Sequence, residues 1–219
     1  MPAIEIVVGV HAVPLLSLLC RAGTKLARRS PSSEEPAHPI RVGCAGWSIS
    51  AAQRAQFDEG SSGLARYASR LACLEINSSF HRSHRPDTYA RWAATVPVGF
   101  RFSVKLPRTI SHEQRLRGTG PLLDRFLDES SGLGEKLGCM LLQLPPSLAL
   151  EPRTAARFFA MLRRRWSGNV ACEPRHASWF GERAEDMFQI TDGGDQPLDD
   201  TQQQDLRAAL LACLEGNRS

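Results

Sequence analysis

Short apolar runs alternate with longer amphipathic segments between residues 41 and 180. The runs are apolar throughout, which is typical of strands in a parallel sheet that is covered on both faces. They read "RVGCAG", "CLEIN", "FRFSVKLP", "CMLLQLPP" and "NVACEP". Because they recur about every 30 residues with helical segments between them, they predict five parallel strands joined by helices.

The segments between these runs carry apolar residues at helical spacing. The predicted buried positions are Leu64, Tyr67, Ala68 and Leu71 in the first helix, Tyr89, Trp92, Ala93 and Val96 in the second, Leu123, Phe126 and Leu127 in the third, and Ala155, Phe158, Phe159, Leu162 and Trp166 in the fourth. This order predicts an α/β fold with a TIM-barrel-like (β/α) repeat. A complete barrel has eight strands in about 250 residues, so we predict an incomplete one with about five clear β/α units.

The composition changes at both ends of this repeat. The stretch "RRSPSSEEPAHP" at 28–39 is rich in serine, proline and charge and is typical of a linker. We therefore predict an N-terminal extension and linker at 1–39 and a β/α barrel portion at 40–184. Residues 185–219 are predicted to form a divergent tail that ends in a helix.

Charge and cysteine content narrow the function classes. The net charge of +4 favours small anionic ligands weakly and makes nucleic acid an unexpected partner. The six cysteines show no spacing that indicates a metal site, so we predict buried thiols in a reducing cytoplasm.

The N-terminal run "VVGVHAVPLLSLLC" lacks a preceding Lys or Arg and contains His and Pro. We therefore expect neither export nor a membrane span.

Polar side chains follow each of the last four predicted strands. Because the carboxyl ends of parallel strands meet at one edge of a sheet or one mouth of a barrel, these side chains are expected to form a ligand site there. The candidates are Glu75, Asn77, Lys105, Gln143, Glu173, Arg175 and His176.

Glu173, Arg175 and His176 form the densest group of these candidates. An arginine lowers the pKa of a neighbouring carboxyl group and can bind an anionic ligand, and a histidine can act as an acid or a base. The alternative interpretation is structural, with an ion pair that fixes the loop after the strand.

Glu75 and Asn77 occupy alternating positions of one predicted strand and are expected to face the same side. If that side is the barrel interior, Glu75 faces Glu173, and paired carboxylates suit acid/base work or a divalent cation. Alternatively, Glu75 only pairs with Lys105 or Arg175.

The remaining candidates have binding roles. Lys105 suits a phosphate or carboxylate group, and Gln143 suits an inward hydrogen bond. His81 and His112 lie on loops at the same end, but no ligand spacing supports a metal site there. We predict Glu75, Glu173 and His176 as catalytic residues and Asn77, Lys105, Gln143 and Arg175 as substrate-binding residues, with no metal ligand assigned.

Several of these stretches together resemble the YecE-like family, a family of domains of unknown function numbered seventy-two. The matching stretches are "GCAGWS" at 43–48, "LEINSSFHR" at 74–82, Trp92, "FRFSVKLPRTISH" at 100–112, "KLGCMLLQLPPS" at 136–147 and "EPRHASWF" at 173–180. The resemblance implies a TIM barrel without an established activity. It also implies three further strand ends, which we do not find after about Glu185.

We therefore expect an uncharacterised YecE-like protein that binds a small polar or anionic molecule. Acid/base or hydrolytic chemistry at that site is an expectation from fold analogy, and the sequence specifies no cofactor. The alternative is a non-catalytic truncated product or an interaction module, which would self-associate through open sheet edges.

Overall fold

The computed structural model describes residues 41–180, which contain one parallel five-stranded sheet in the order β1-β2-β3-β4-β5. The strands are β1 (Gly43–Ala45), β2 (Cys73–Ile76), β3 (Arg101–Lys105), β4 (Leu137–Gln143) and β5 (Asn169–Glu173). All neighbouring strands pair in parallel. The five predicted strands and the α/β class are therefore confirmed. The predicted extension, tail and terminal helix lie outside the described residues.

Helices connect the strands as predicted. They are α1 (Gly63–Tyr67), α2 (Pro86–Thr95), α3 (Gly120–Ser130) and α4 (Pro152–Arg165). Short 3-10 helices occupy Ala51–Gln56, Ser78–Phe80, Ser131–Lys136 and Ala177–Trp179, and a π-helical turn occupies Thr109–Glu113. Proline in the first turn marks the start of α2, α3 and α4, because its fixed φ suits that position and its missing N–H is not needed there.

The first helix is shorter than its apolar spacing predicted. It ends at Tyr67, and the N–H groups of both Arg70 and Leu71 bond to the Tyr67 carbonyl in a closing turn. Leu71 still packs against the core from this turn. Apolar spacing therefore identified a residue that contacts the core and is half-buried, although the backbone there is no longer helical.

The two faces of the sheet differ in character. Alternate strand residues such as Ile76, Val104 and Leu142 belong to one buried apolar core with the helices. The intervening residues include Glu75 and Ser103, which are in register on β2 and β3 and are 6% and 4% exposed. The inner face of the sheet therefore buries polar groups close to the strand ends.

A close contact and a charged cap join α2 to the turn that follows α3. A Cβ atom on Gly132 would lie 2.2 Å from the Pro86 carbonyl oxygen, so only glycine fits there. Lys136 donates from Nζ to the carbonyl oxygens of Ala93 and Val96, at 2.6 Å each. These bonds satisfy carbonyl groups at the end of α2 that have no partner within the helix.

The cysteines in the described part of the chain are free thiols, and Cys73, Cys139 and Cys172 are buried, whereas Cys44 is half-buried. Burial raises the pKa of the Cys172 thiol to about 12, which keeps it protonated and unreactive. Between residues 41 and 180, no helix has both the length and the apolar character needed to cross a membrane.

Candidate functional site

The ends of β4 and β5 bring together three of the predicted residues. Gln143 and Glu173 are in register, and Gln143 Nε2 donates to Glu173 Oε2 at 2.9 Å. Arg175 donates from Nε and Nη2 to the other carboxylate oxygen, Oε1, at 3.1 and 2.9 Å. The Glu173 carboxylate is therefore held in one orientation by an amide and a guanidinium group.

Glu75 lies on the inner face of β2, one residue before the strand ends. It is 6% exposed, and burial raises the pKa of its carboxyl group above the ordinary value. The Lys105 charge opposes this rise and the Glu173 charge adds to it. The two carboxyl groups are thus close enough to interact electrostatically, and Glu75 holds its proton to a higher pH than an exposed glutamate does.

Lys105 closes β3 as a half-buried cation. Its Nζ atom lies 5.0 Å from the centroid of the Phe80 ring, within the range of a cation–π contact. No carboxylate among residues 41–180 forms an ion pair with it. Ser79 Oγ lies 2.6 Å from the Lys105 carbonyl oxygen and ties the loop after β2 to the end of β3.

Asn77 lies outside the strand, so the alternation of side chains along β2 does not apply to it. β2 ends at Ile76, and Asn77 has φ −82° and ψ −24° at the start of the turn Ser78–Phe80. Its position is therefore set by the turn and not by the pleat of the sheet, so the argument that it faces the same side as Glu75 was wrong. Asn77 still lies directly after a strand end, at the edge where the other candidates meet.

His176 has a structural contact at one of its ring nitrogens. Nδ1 accepts a hydrogen bond from the Ser178 backbone N–H at 3.1 Å and lies 2.8 Å from Ser178 Oγ. The ring thereby caps the turn Ala177–Trp179. No hydrogen bond within residues 41–180 joins His176 to Glu173 or Arg175, so Nε2 is the atom that remains for chemistry.

Phe80 and His112 belong to the same site. The sequence placed His112 on a loop at this end without assigning it a role, and it did not indicate Phe80. The Phe80 ring contacts His112 edge to face, with the centroids 4.9 Å apart. Burial lowers the pKa of the His112 imidazole, and the charges of Arg108, Lys105 and Arg175 lower it further. His112 therefore stays a neutral imidazole to lower pH than an exposed histidine does, because burial and three cations act on it. In the sequence, its position in the long "FRFSVKLPRTISH" motif could have indicated this role.

The arrangement combines positive charge with a buried carboxyl group whose pKa is raised above its ordinary value. No group of three or more His, Cys, Asp or Glu residues in the described range could hold a metal ion. Arg175 forms an ion pair with Glu173, whereas no described carboxylate lies within ion-pair distance of Lys105. Chemically, the site can hold an anion and donate a proton to it.

Residues 41–204 match the family model described as "Protein of unknown function DUF72". This match continues past Glu185, near which we expected the sequence to depart from the family pattern. The UPF0759 protein YecE of Escherichia coli (strain K12) is 31% identical over 129 residues, which are 58% of this chain and 47% of YecE. The chain thus spans about half the length of this curated relative.

Two further comparisons differ in what they cover. A stretch of 36 residues is 67% identical to the bifunctional uridylyltransferase/uridylyl-removing enzyme of Xanthomonas campestris pv. campestris (strain B100), but it covers 16% of this chain and 4% of that enzyme. The crystal structure of a DUF72 family protein from Thermotoga maritima MSB8 superposes with a TM-score of 0.57 at 21% identity, over 70% of this chain and 62% of that one. This likeness shows the TIM-barrel-like fold, with an open sheet of about five units here. Because the family model matches residues 41–204, the chain belongs to the DUF72 family, as its strand-end motifs predicted.

Proposed function

We propose that the carboxyl edge of the sheet binds a small molecule that carries a carboxylate or phosphate group. The observation that carries this proposal is the state of Lys105, whose ammonium group is half-buried over Phe80 without a carboxylate partner in the described part of the chain. Partial burial of an unpaired charge is unfavourable. An anionic ligand group compensates it, which gives the ligand its binding energy.

Neighbouring groups orient the ligand in this proposal. The Glu173 carboxylate neutralises the Arg175 charge but occupies only Nε and Nη2. The remaining N–H groups of Arg175, together with the neutral His112 ring, can form hydrogen bonds with polar ligand atoms. These directional contacts would distinguish one anionic molecule from another.

Glu75 has the role of proton donor in the proposed chemistry. Its burial favours the protonated form, and Lys105 stabilises the carboxylate that remains after the proton has left. This is the pairing that general acid catalysis requires. Acid/base or hydrolytic chemistry at this site rests on fold analogy with other β/α barrels.

Isothermal titration with inorganic phosphate, citrate and glucose 6-phosphate tests the binding proposal. We expect at least one of these anions to bind, and Lys105→Met to weaken its binding about tenfold, the effect of one charged hydrogen bond. Lys105→Arg should keep most of the affinity. The control is Arg70→Met, because Arg70 is an exposed cation after α1, away from the strand ends. Equal affinity in Lys105→Met and Arg70→Met would contradict the proposal.

An interaction module is the second candidate function, and the sheet order favours it. Within residues 41–180, β1 pairs with β2 alone and β5 with β4 alone, so each leaves one edge unpaired by a described strand. Edges of this kind can pair with another chain. Light scattering after size exclusion tests this, and a monomer across a range of concentrations would contradict it.

A further inference from the structure

A second cleft lies between the loops that follow β3 and β4 and the turn Ala177–Trp179. It encloses about 590 Å³ with its open side included. Its floor is apolar and comes from Leu116, Leu148, Ala155 and Trp179, which are 5%, 7%, 1% and 2% exposed. None of the strand-end residues of the proposed site lines it.

Arg115 on the wall of this cleft is held in place by uncharged groups, and no carboxylate within residues 41–180 forms an ion pair with it. Its Nη2 donates to the Ser147 carbonyl oxygen at 2.8 Å, and its Nη1 donates to Ser147 Oγ at 3.3 Å. Both acceptors are uncharged, so the guanidinium group keeps its full positive charge. A positioned cation of this kind is suited to an anionic ligand group.

Arg117 supplies a second guanidinium group on the same wall. It forms an ion pair with Glu151, and both side chains are mostly exposed, at 67% and 56%. An exposed pair contributes little to stability and opens readily. The cleft therefore presents two guanidinium groups against one carboxylate.

The backbone that carries Arg115 has an unusual conformation. Arg115 and Leu116 have φ values of 50° and 68°, in the left-handed region that non-glycine residues rarely adopt. The surroundings enforce this conformation, because Leu116 is buried and its N–H bonds to the Ile110 carbonyl at 3.0 Å. Backbone strain of this kind clusters at ligand sites, where it positions a side chain.

We infer that this cleft binds an amphipathic anion with a flat apolar body and a single phosphate, sulfonate or carboxylate group. The apolar body lies on the floor beside Trp179, and the anionic group bonds to Arg115. Arg117 contributes after its exposed pair with Glu151 opens. The inference goes beyond the proposed function, because the two sites share no residue.

Isothermal titration with 1-naphthyl phosphate on the full chain tests the inference. We expect 1-naphthyl phosphate to bind more strongly than 1-naphthol, which has only the apolar body, and more strongly than inorganic phosphate, which has only the anionic group. Arg115→Gln should weaken it about tenfold. Arg91→Gln is the control, since Arg91 is an exposed arginine on α2 whose side chain bonds only to Thr88 in the described range, and it should leave the affinity unchanged.

A pair of variants at Ala149, an exposed residue of the cleft, keeps the test decisive if Arg115→Gln does not fold. Ala149→Glu and Ala149→Gln add side chains of nearly equal size that differ in charge. We expect the Glu variant to bind the probe at least tenfold more weakly than the Gln variant. Equal binding by the two Ala149 variants, or no binding by the unmodified chain at millimolar probe, overturns the inference.

The variant Lys105→Met separates the two proposals. We expect it to leave binding of 1-naphthyl phosphate unchanged. If Lys105→Met weakens the probe and Arg115→Gln does not, the probe lies at the strand ends, and the cleft inference is wrong while the proposed function stands. If Arg115→Gln weakens the probe and Lys105→Met does not, the cleft inference stands, whatever the titrations with phosphate, citrate and glucose 6-phosphate show for Lys105→Met.

Discussion

Two buried tyrosines should respond differently to the same substitution by phenylalanine. The Tyr67 hydroxyl accepts a hydrogen bond from the Cys44 N–H at 2.7 Å and donates one to the Cys73 carbonyl at 3.0 Å, so it joins the backbones of β1 and β2. Burial raises the pKa of Tyr67, which keeps its phenol group protonated as a donor. The Tyr89 hydroxyl is also buried but has no hydrogen-bond partner in the described range. The Ser79 side chain is near enough to lower the pKa of Tyr89, but the distance and angles between the two hydroxyl groups do not make a hydrogen bond.

The expected magnitudes follow from these contacts. Tyr67→Phe removes two neutral hydrogen bonds, each worth about 1 kcal/mol, and leaves the Cys44 N–H without that acceptor at a cost of about 1 kcal/mol more. We therefore expect the free energy of unfolding to fall by about 2–3 kcal/mol. Tyr89→Phe removes a buried hydroxyl that makes no bond, so the change should lie between zero and a gain of about 1 kcal/mol.

Urea unfolding of the full chain, followed by circular dichroism, measures both changes. With a slope of about 2 kcal/mol per molar urea, Tyr67→Phe should lower the midpoint by about 1 M. Tyr89→Phe should leave the midpoint unchanged or raise it slightly. Equal midpoints for the two variants, or a lower midpoint for Tyr89→Phe, would refute this reasoning. The two tyrosines are both buried, and the expected difference comes only from the hydrogen bonds of their hydroxyl groups.

Two further substitutions test the inner face of the sheet and the packing of α2. Because the pKa of Glu75 is raised in the folded state, the folded chain loses stability as the pH rises from about 4, where glutamate titrates in unfolded chains. Glu75→Gln removes this loss, so its unfolding temperature should exceed that of the unmodified chain at pH 7 but not at pH 4; a pH-independent difference would contradict this. Gly132→Ala brings a methyl group against the Pro86 carbonyl and should cost about 2 kcal/mol or more in urea unfolding, whereas Gly99→Ala, at an open position, should not.

Local sequence patterns were sufficient to predict most elements of the sheet and its helices. The helix at 152–165 illustrates this, since Ala155, Phe158, Phe159 and Leu162 were predicted on its inner face and are buried. Trp166, predicted with them, follows the end of the helix and is half-buried. Apolar periodicity works there because burial on one side of a helix depends on spacing along the chain alone. It failed beyond Tyr67, where a turn replaces the helix while keeping Leu71 against the core.

The candidate site was predictable where it depends on the parallel sheet and not where it depends on loops. Gln143 and Glu173 meet because neighbouring parallel strands place their ends side by side. The backbone at Asn77 and the capping role of His176 follow from turns, whose conformation strand alternation does not describe. The contact of Lys105 with Phe80 joins the end of one strand to the turn after another.

The sequence by itself determined the α/β class, the order of the elements, the family and the set of polar residues at the strand ends. These follow from hydrophobic periodicity and motif spacing, which are properties of neighbouring positions along the chain. Only the tertiary structure decided that Glu75 is buried and that Arg115 lines an apolar cleft. It also decided that Arg175 forms an ion pair with Glu173, whereas no carboxylate within residues 41–180 pairs with Lys105. Burial and ion pairing depend on distances between residues that are far apart in the chain, and these distances exist only after the loops have folded against the sheet.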